Sequence, residues 1–385
     1  MEDVESIASI ASKARILALM KGSLDSAVPI ISIARHLAAM GHKVTVACGS
    51  CGKSLRDRML AEGILVAELS QRQPPTFLPS NIRKLLEWGR FRIYGRRVLH
   101  ANFDVVYVGS ADTAIALFGL LPKHRYMLHL RELRDTQPFY MYALGPIARS
   151  AMHVVVPEIN RAHIYRRLLL LERLPTIIPN KPYSHPASRY LPIDFLPPEQ
   201  REKISSRKCL IYQGPIHQER DLTPVLQALA MSDDYSIIIM GKDYGMLNGY
   251  RQIFPELIHI PFLAPPAHLN VTSWAHVGLI TYDTDSLNTV YCAPNKIWEY
   301  SGFGLPMLCS DNLGLRYTVG AAGAALLVDI EDHQALLNAL SNIESDYENF
   351  RRRSLAFFHS EDVESTLQSL LSQDKLSASR RNKQQ

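Results

Sequence analysis

Cysteine is scarce in this sequence: five residues among 385, an odd number and far too few to staple a chain of this length. A disulfide framework is excluded, and a reducing compartment is expected. Charge of one sign is also lacking. The 42 Lys and Arg stand against 37 Asp and Glu, a net charge of +5. That is too mild for a dedicated nucleic-acid binder, so no nucleic-acid partner is expected. Long hydrophobic runs are missing too. The longest, residues 113–121 and 319–328, fall well short of the roughly 20 residues of a membrane span. The opening MEDVESIASIASKA has neither a positive n-region nor an apolar h-region, so no secretory leader is expected. These absences predict a cytoplasmic protein, with peripheral attachment to the inner face of the cell membrane left open.

What is present is alternation. Hydrophobic residues make up 47% and charged residues 21%, a globular balance with room for two or three domains. A short apolar run at 15–20 ends in Lys21-Gly22-Ser23. An amphipathic stretch over 28–40 with Pro29 in its first turn follows, then Gly41, then a second apolar run at 43–48. This is a βαβ unit. Further strands are expected at 64–69, 105–109, 126–130, 153–156 and 176–178. A proline-studded stretch over 182–208 reads as a linker, after which the pattern restarts. Strands are expected there at 209–212, 235–240, 257–260, 277–281, 307–309 and 325–328, with helical patterns from 332 to about 371. The predicted fold is α/β, two Rossmann-like doubly wound domains with the ligand in a cleft at the carboxyl ends of their strands. The expected divisions are 1–195, 196–360, and 361–385 as a helix and disordered polar tail.

Two motifs invite over-reading. Residues 47–54, Ala-Cys-Gly-Ser-Cys-Gly-Lys-Ser, loosely fit a phosphate loop. The first glycine is missing, however, the loop follows the second strand, and no magnesium partner is evident. A βα turn with a solvated Lys53 is the better account. Cys48 and Cys51 form C-x-x-C without a second pair or a thioredoxin-like context, so no metal site is expected.

The richest segment runs from Ser286 to Pro306. Pro294 suits the first turn of a helix whose start leaves free N–H groups beside Lys296, an arrangement that attracts anions. Glu299, three residues on, can grip a sugar diol. A capped helix with a Lys296–Glu299 surface pair is the plainer alternative. The run Pro294-Asn-Lys-Ile-Trp-Glu-Tyr-x-Gly-x-Gly-Leu-Pro306 resembles the donor-site helix of retaining GT-B glycosyltransferases, specifically glycosyltransferase family 4. Four other segments agree: Lys21-Gly22-Ser23 before Gly41-His42-Lys43-Val44, the loop from His129 to Asp135, Ile178-Pro-Asn180, and Tyr212-Gln-Gly214 with Glu219-Arg220.

The resemblance implies a GT-B fold and a nucleotide-diphosphate sugar donor, UDP-sugar favoured, with no further cofactor and no metal. It also implies a glycan or lipid-linked acceptor and a role in cell-surface polysaccharide biosynthesis. Arg220 and Lys296 would carry the leaving diphosphate, and Glu299 the ribose. Gly22 and Ser23 would let backbone approach the phosphates, and the amides near Asn295 would help carry the leaving charge. The base would sit near Gly241, Gly214 and Tyr291 would also meet the donor, and His129 would touch the transferred sugar. Tyr291 stands where the first of the family's two glutamates falls, Pro215 where an arginine is common, and Ser23 where a second glycine is usual. Two other readings stay open: a nucleotide-sugar epimerase or hydrolase of the same architecture, and a non-catalytic nucleotide-sugar binder. On the acceptor side, residues 82–100 interleave six Lys and Arg with aromatic and aliphatic residues, a pattern suited to an anionic membrane surface or to an ordinary solvated helix.

Overall fold

The fold is seen in a computed structural model, which describes residues 13–69, 75, 77–232 and 234–382. The first twelve residues of the segment read above for a leader and the last three residues of the polar tail lie outside these. Thirteen strands lie among the described residues. In the first sheet β1 (Arg15–Ser23), β2 (Lys43–Ser50), β3 (Leu65–Glu68), β4 (Val105–Val108), β5 (Tyr126–His129), β6 (His153–Val156) and β7 (Thr176–Ile177) lie in the order β3-β2-β1-β4-β5-β6-β7. The second holds β8 (Lys208–Gln213), β9 (Tyr235–Met240), β10 (Ile258–Ile260), β11 (Val277–Ile280), β12 (Met307–Ser310) and β13 (Ala325–Val328), ordered β10-β9-β8-β11-β12-β13. Every pairing is parallel. Parallel sheets need helices on both faces, so their strands read as unbroken apolar runs; β9 is buried along its whole length. In each sheet the strand order reverses beside the first strand, between β1 and β4 and between β8 and β11, which opens a crevice at the carboxyl ends.

The chain forms two units: residues Met1–Ile178 with Val363–Gln385, and residues Pro179–Asp362. The first division falls earlier than the expected 195, because the proline-studded stretch is not a free linker. The Leu191 amide donates to Ser273 Oγ at 2.9 Å, and the Trp274 indole donates to Leu191 O at 2.7 Å. Ile193 and Leu196 enter the core of the second unit. Prolines bring no N–H to satisfy, so an irregular strap rich in them can be buried at little cost.

The C-terminal end also differs from expectation. The helix Val363–Asn382 takes in much of the stretch expected to be a disordered tail. Val363, Leu367 and Leu370 recur at helical spacing and are buried with Ile16, Ile30 and Val44 of the first unit. Leu367→Ala should therefore cost about 2–5 kcal/mol. Urea unfolding should show the transition of the first unit displaced to lower denaturant and that of the second unit unmoved. The same change at the exposed Leu60 should do almost nothing.

Candidate functional site

The crevice of the second unit is framed by Gly214 after β8, Gly241 after β9 and Tyr282 after β11. Gly214 has φ +150°, and a Cβ on Gly241 would lie 1.8 Å from the Gly214 carbonyl oxygen. The two loops pack backbone on backbone, which only glycine at 241 allows. The helix Lys296–Ser301 is pinned over this edge from below. Tyr300 lies over Gly278, where a Cβ would come within 2.3 Å of its ring, and donates to Ile211 O at 3.1 Å. Trp298 stacks on Phe357 of the helix Tyr347–His359, ring centroids 4.5 Å apart. Those contacts fix where Lys296 points.

Lys296 is 7% exposed, and its Nζ has no hydrogen-bond partner. It sits 4.3 Å from the Tyr212 ring centroid and 5.7 Å from that of Tyr282. Arg220, at the end of a short turn over Gln218–Arg220, places its guanidinium 4.7 Å from the Tyr282 ring. The two cations meet beside Gly214: a Cβ there would lie 3.3 Å from Lys296 Nζ and 3.4 Å from an Arg220 terminal nitrogen. Neither cation makes an ion pair among the described residues. Burial, with the Arg220 charge adding to it, pushes the Lys296 ammonium down to about 7, against a smaller opposing pull from Glu299.

Glu299 is buried below the cations. Its Oε1 lies 3.2 Å from His268 Nε2, and its Oε2 accepts from Gln213 Nε2 at 3.2 Å. Gln213 in turn accepts from Thr272 Oγ1 at 3.0 Å. Burial works against the Glu299 charge, but His268, Lys296 and His185 outweigh it and hold the carboxyl below its usual range. An ionised carboxylate has about four acceptor positions, so two remain for ligand hydroxyls. Asn295 precedes the helix and accepts from the Trp298 and Glu299 amides, with no capping bond of its own side chain. Tyr291 is half-buried at the end of the turn Leu287–Val290.

Of the residues expected in the site, the structure brings together Arg220, Lys296, Gly214, Gly241 and Glu299. Gly22, Ser23 and His129 belong to the other unit. Gly22 and Ser23 form the end of β1, and the Ser23 hydroxyl contacts Asp25 at 3.2 Å. His129 is fully buried, its Nδ1 2.9 Å from Tyr107 OH, and burial with the Arg131 charge pushes it down to about 3. It is neutral at physiological pH, and its ring lies in the interior. Sequence reasoning passed over Tyr282 and His268, and it quoted Tyr212 and Gln213 within the Tyr212-Gln-Gly214 run without giving either a role. The signal for the tyrosines is their place, at or just beyond the carboxyl ends of β8 and β11.

The phosphate-loop look-alike is an ordinary turn. The Gly52 amide that would meet a phosphate donates to Asp25 Oδ2 at 2.8 Å, and burial pushes the Cys48 thiol up to about 12. Among the described residues no group of three or more His, Cys, Asp or Glu could hold a metal ion.

No family model matches the sequence, and no curated protein does. Solved structures match along nearly the whole chain. Sucrose-phosphate synthase from Thermosynechococcus elongatus superposes with a TM-score of 0.68 at 16% identity, covering 94% of this chain and 100% of that one. Anabaena HepE, solved in complex with UDP-glucose, reaches 0.67 at 14% identity, covering 95% and 100%. WaaG, a glycosyltransferase involved in lipopolysaccharide biosynthesis, reaches 0.62 at 12% identity, covering 92% and 98%. At these identities the likeness establishes the fold: two doubly wound α/β units of the GT-B type.

Proposed function

We propose that this chain is a retaining glycosyltransferase of the hexosyltransferase type, moving a sugar from a UDP-sugar to a glycan or lipid-linked acceptor in cell-surface polysaccharide biosynthesis. The observation that carries the reading is the pair Arg220 and Lys296, meeting beside Gly214 with Lys296 Nζ unpartnered and only a partial opposing pull from Glu299. Two like charges held at the edge of a core repel one another, and a diphosphate is the ligand that turns that repulsion into binding. UDP is favoured because HepE, of the same fold, was solved with UDP-glucose. The retaining outcome rests on the resemblance of the Pro294–Pro306 run to family 4.

During transfer the bond from the anomeric carbon to the diphosphate breaks, and its electron pair leaves on the phosphate oxygen. Arg220 and Lys296 meet that growing charge, so they contribute more to the transition state than to ground-state binding. Glu299, held in place by His268 and Gln213, takes the ribose hydroxyls, which change little during the reaction.

The reading extends to the membrane. On the helix Ser80–Leu99 the outward stripe is apolar: Ile82, Leu85, Leu86 and Ile93 are 45%, 61%, 40% and 58% exposed. Arg92, Arg96 and Arg97 are exposed on the same helix. A globular helix hides such residues, whereas one lying on an anionic bilayer presents them. No helix among the described residues is long and apolar enough to cross a membrane.

Three outcomes follow from this reading. Arg220→Ala and Lys296→Ala should each lower turnover roughly 100- to 1000-fold, while Glu299→Ala should weaken UDP and UDP-sugar together. Near-normal turnover in both cation variants would end the proposal, and release of free sugar or an epimer without acceptor would favour the hydrolase or epimerase. In the second, the diphosphate favours charged Lys296, so UDP affinity should be full below about pH 7, the free-state value. It should fall by up to about tenfold per pH unit above that. Calorimetry in buffers of different ionisation enthalpy should show proton uptake on binding, and Lys296→Arg should abolish it. In the third, changing Arg92, Arg96 and Arg97 to Glu should remove co-sedimentation with anionic vesicles in low salt and leave UDP affinity intact. Unchanged sedimentation would refute membrane docking.

A further inference from the structure

The first unit has a crevice of its own. Where its strand order reverses, a cavity of about 510 Å³ opens at the carboxyl ends of β1, β4 and β5. Its floor is a closed network. Lys21 Nζ pairs with Asp112 at 2.8 Å and Glu87 at 2.9 Å, and Asp112 also accepts from Trp88 Nε1 at 3.0 Å and Tyr140 OH at 2.5 Å. These bonds spend both acids on the floor and lock the Trp88 and Tyr140 rings. At the rim Arg134 pairs with Glu132. Three cations are left over. Lys84 Nζ stands 4.5 Å from the Tyr140 ring centroid and 5.4 Å from that of Trp88, with no ion pair among the described residues. Arg83 also lines the cavity, and its buried Nε has no partner. Arg131 is aimed by a 3.1 Å bond from its Nε to Gly109 O.

We propose that this cavity binds the phosphate of a phosphate-bearing acceptor, a sugar or polyol phosphate free or as a lipid headgroup. The proposal rests on the glycosyltransferase reading and names its acceptor class. The charge is the first reason: Arg83, Lys84 and Arg131 surround one volume, and the acids that could neutralise them are already committed. The rings are the second. Lys84 is fixed over two aromatic faces, so little side-chain freedom remains to be lost when an anion arrives. The third is the helix itself. Arg83 and Lys84 belong to the same helix, Ser80–Leu99, whose opposite flank carries the exposed Ile82, Leu85 and Leu86. One rigid element thus joins an apolar outer stripe to a cationic inner pocket, as recognition of a phosphate near a lipid surface requires.

The test uses the full chain, as wild type, Lys84→Gln and Lys84→Arg. Glycerol 3-phosphate is titrated by calorimetry, phosphatidylglycerol vesicles are compared with phosphatidylcholine vesicles by sedimentation, and UDP is titrated in parallel. One phosphate probe should bind saturably, Lys84→Gln should weaken it at least about tenfold, and Lys84→Arg should restore it. UDP affinity should be the same in all three. Binding of the soluble probe supports the free phosphate as source, and binding confined to phosphatidylglycerol vesicles supports the headgroup. Failure of both probes, or equal binding by wild type and Lys84→Gln, overturns the pocket assignment. Loss of UDP binding alone would overturn the donor reading and leave the pocket standing.

Discussion

A lysine ammonium buried beside an arginine guanidinium, with no acid between them, is the constraint around which the second unit is arranged. Such a pair lowers stability wherever it stands, so surrounding structure must hold it in place. Tyr300 and Trp298 lock the helix that carries Lys296, and the faces of Tyr212 and Tyr282 offer the cations partial negative charge. Glu299 could have neutralised Lys296, but His268 and Gln213 hold its two oxygens. Glu299 therefore relieves the repulsion only in part.

The two units treat the same topological position in opposite ways. Each sheet reverses order beside its first strand, and each places a lysine near the reversal. In the first unit Lys21 is gripped by Asp112 and Glu87. In the second Lys296 meets another cation. The fold supplies the crevice twice, and the side chains decide which crevice has its lysine paired with acids and which leaves it beside another cation.

All thirteen strands are legible in the sequence, because a parallel strand buried on both faces leaves an apolar run bounded by glycine and polar residues. Val105–Val108 and Tyr235–Met240 are such runs. The boundary at Ile178 is not legible, whereas the one at Asp362 lies within two residues of the expected division. Prolines at 182, 186, 192, 197 and 198 signal only that the backbone is irregular, whereas what holds Leu191 in place is Ser273 and Trp274, some 80 residues away. The candidate site divides the same way. Arg220, Lys296 and Glu299 sit in a recognisable local pattern, whereas His268 and Gln213 reach Glu299 only through the fold. The burial of His129 was likewise hidden, since a histidine closing a strand looks the same in sequence whether its ring faces solvent or core.

The helix Val363–Asn382 has a consequence for how the chain comes to be folded. The first unit is discontinuous, with its last helix encoded 184 residues after the rest of it, beyond the whole of Pro179–Asp362. Emerging from the ribosome, the amino-terminal sheet is complete after Ile178, yet the groove awaiting Val363, Leu367 and Leu370 stays open while the second unit is made. Domains generally mature in the order of synthesis. Here the unit begun first is the one finished last, and its open apolar groove is the surface that a nascent-chain chaperone would meet.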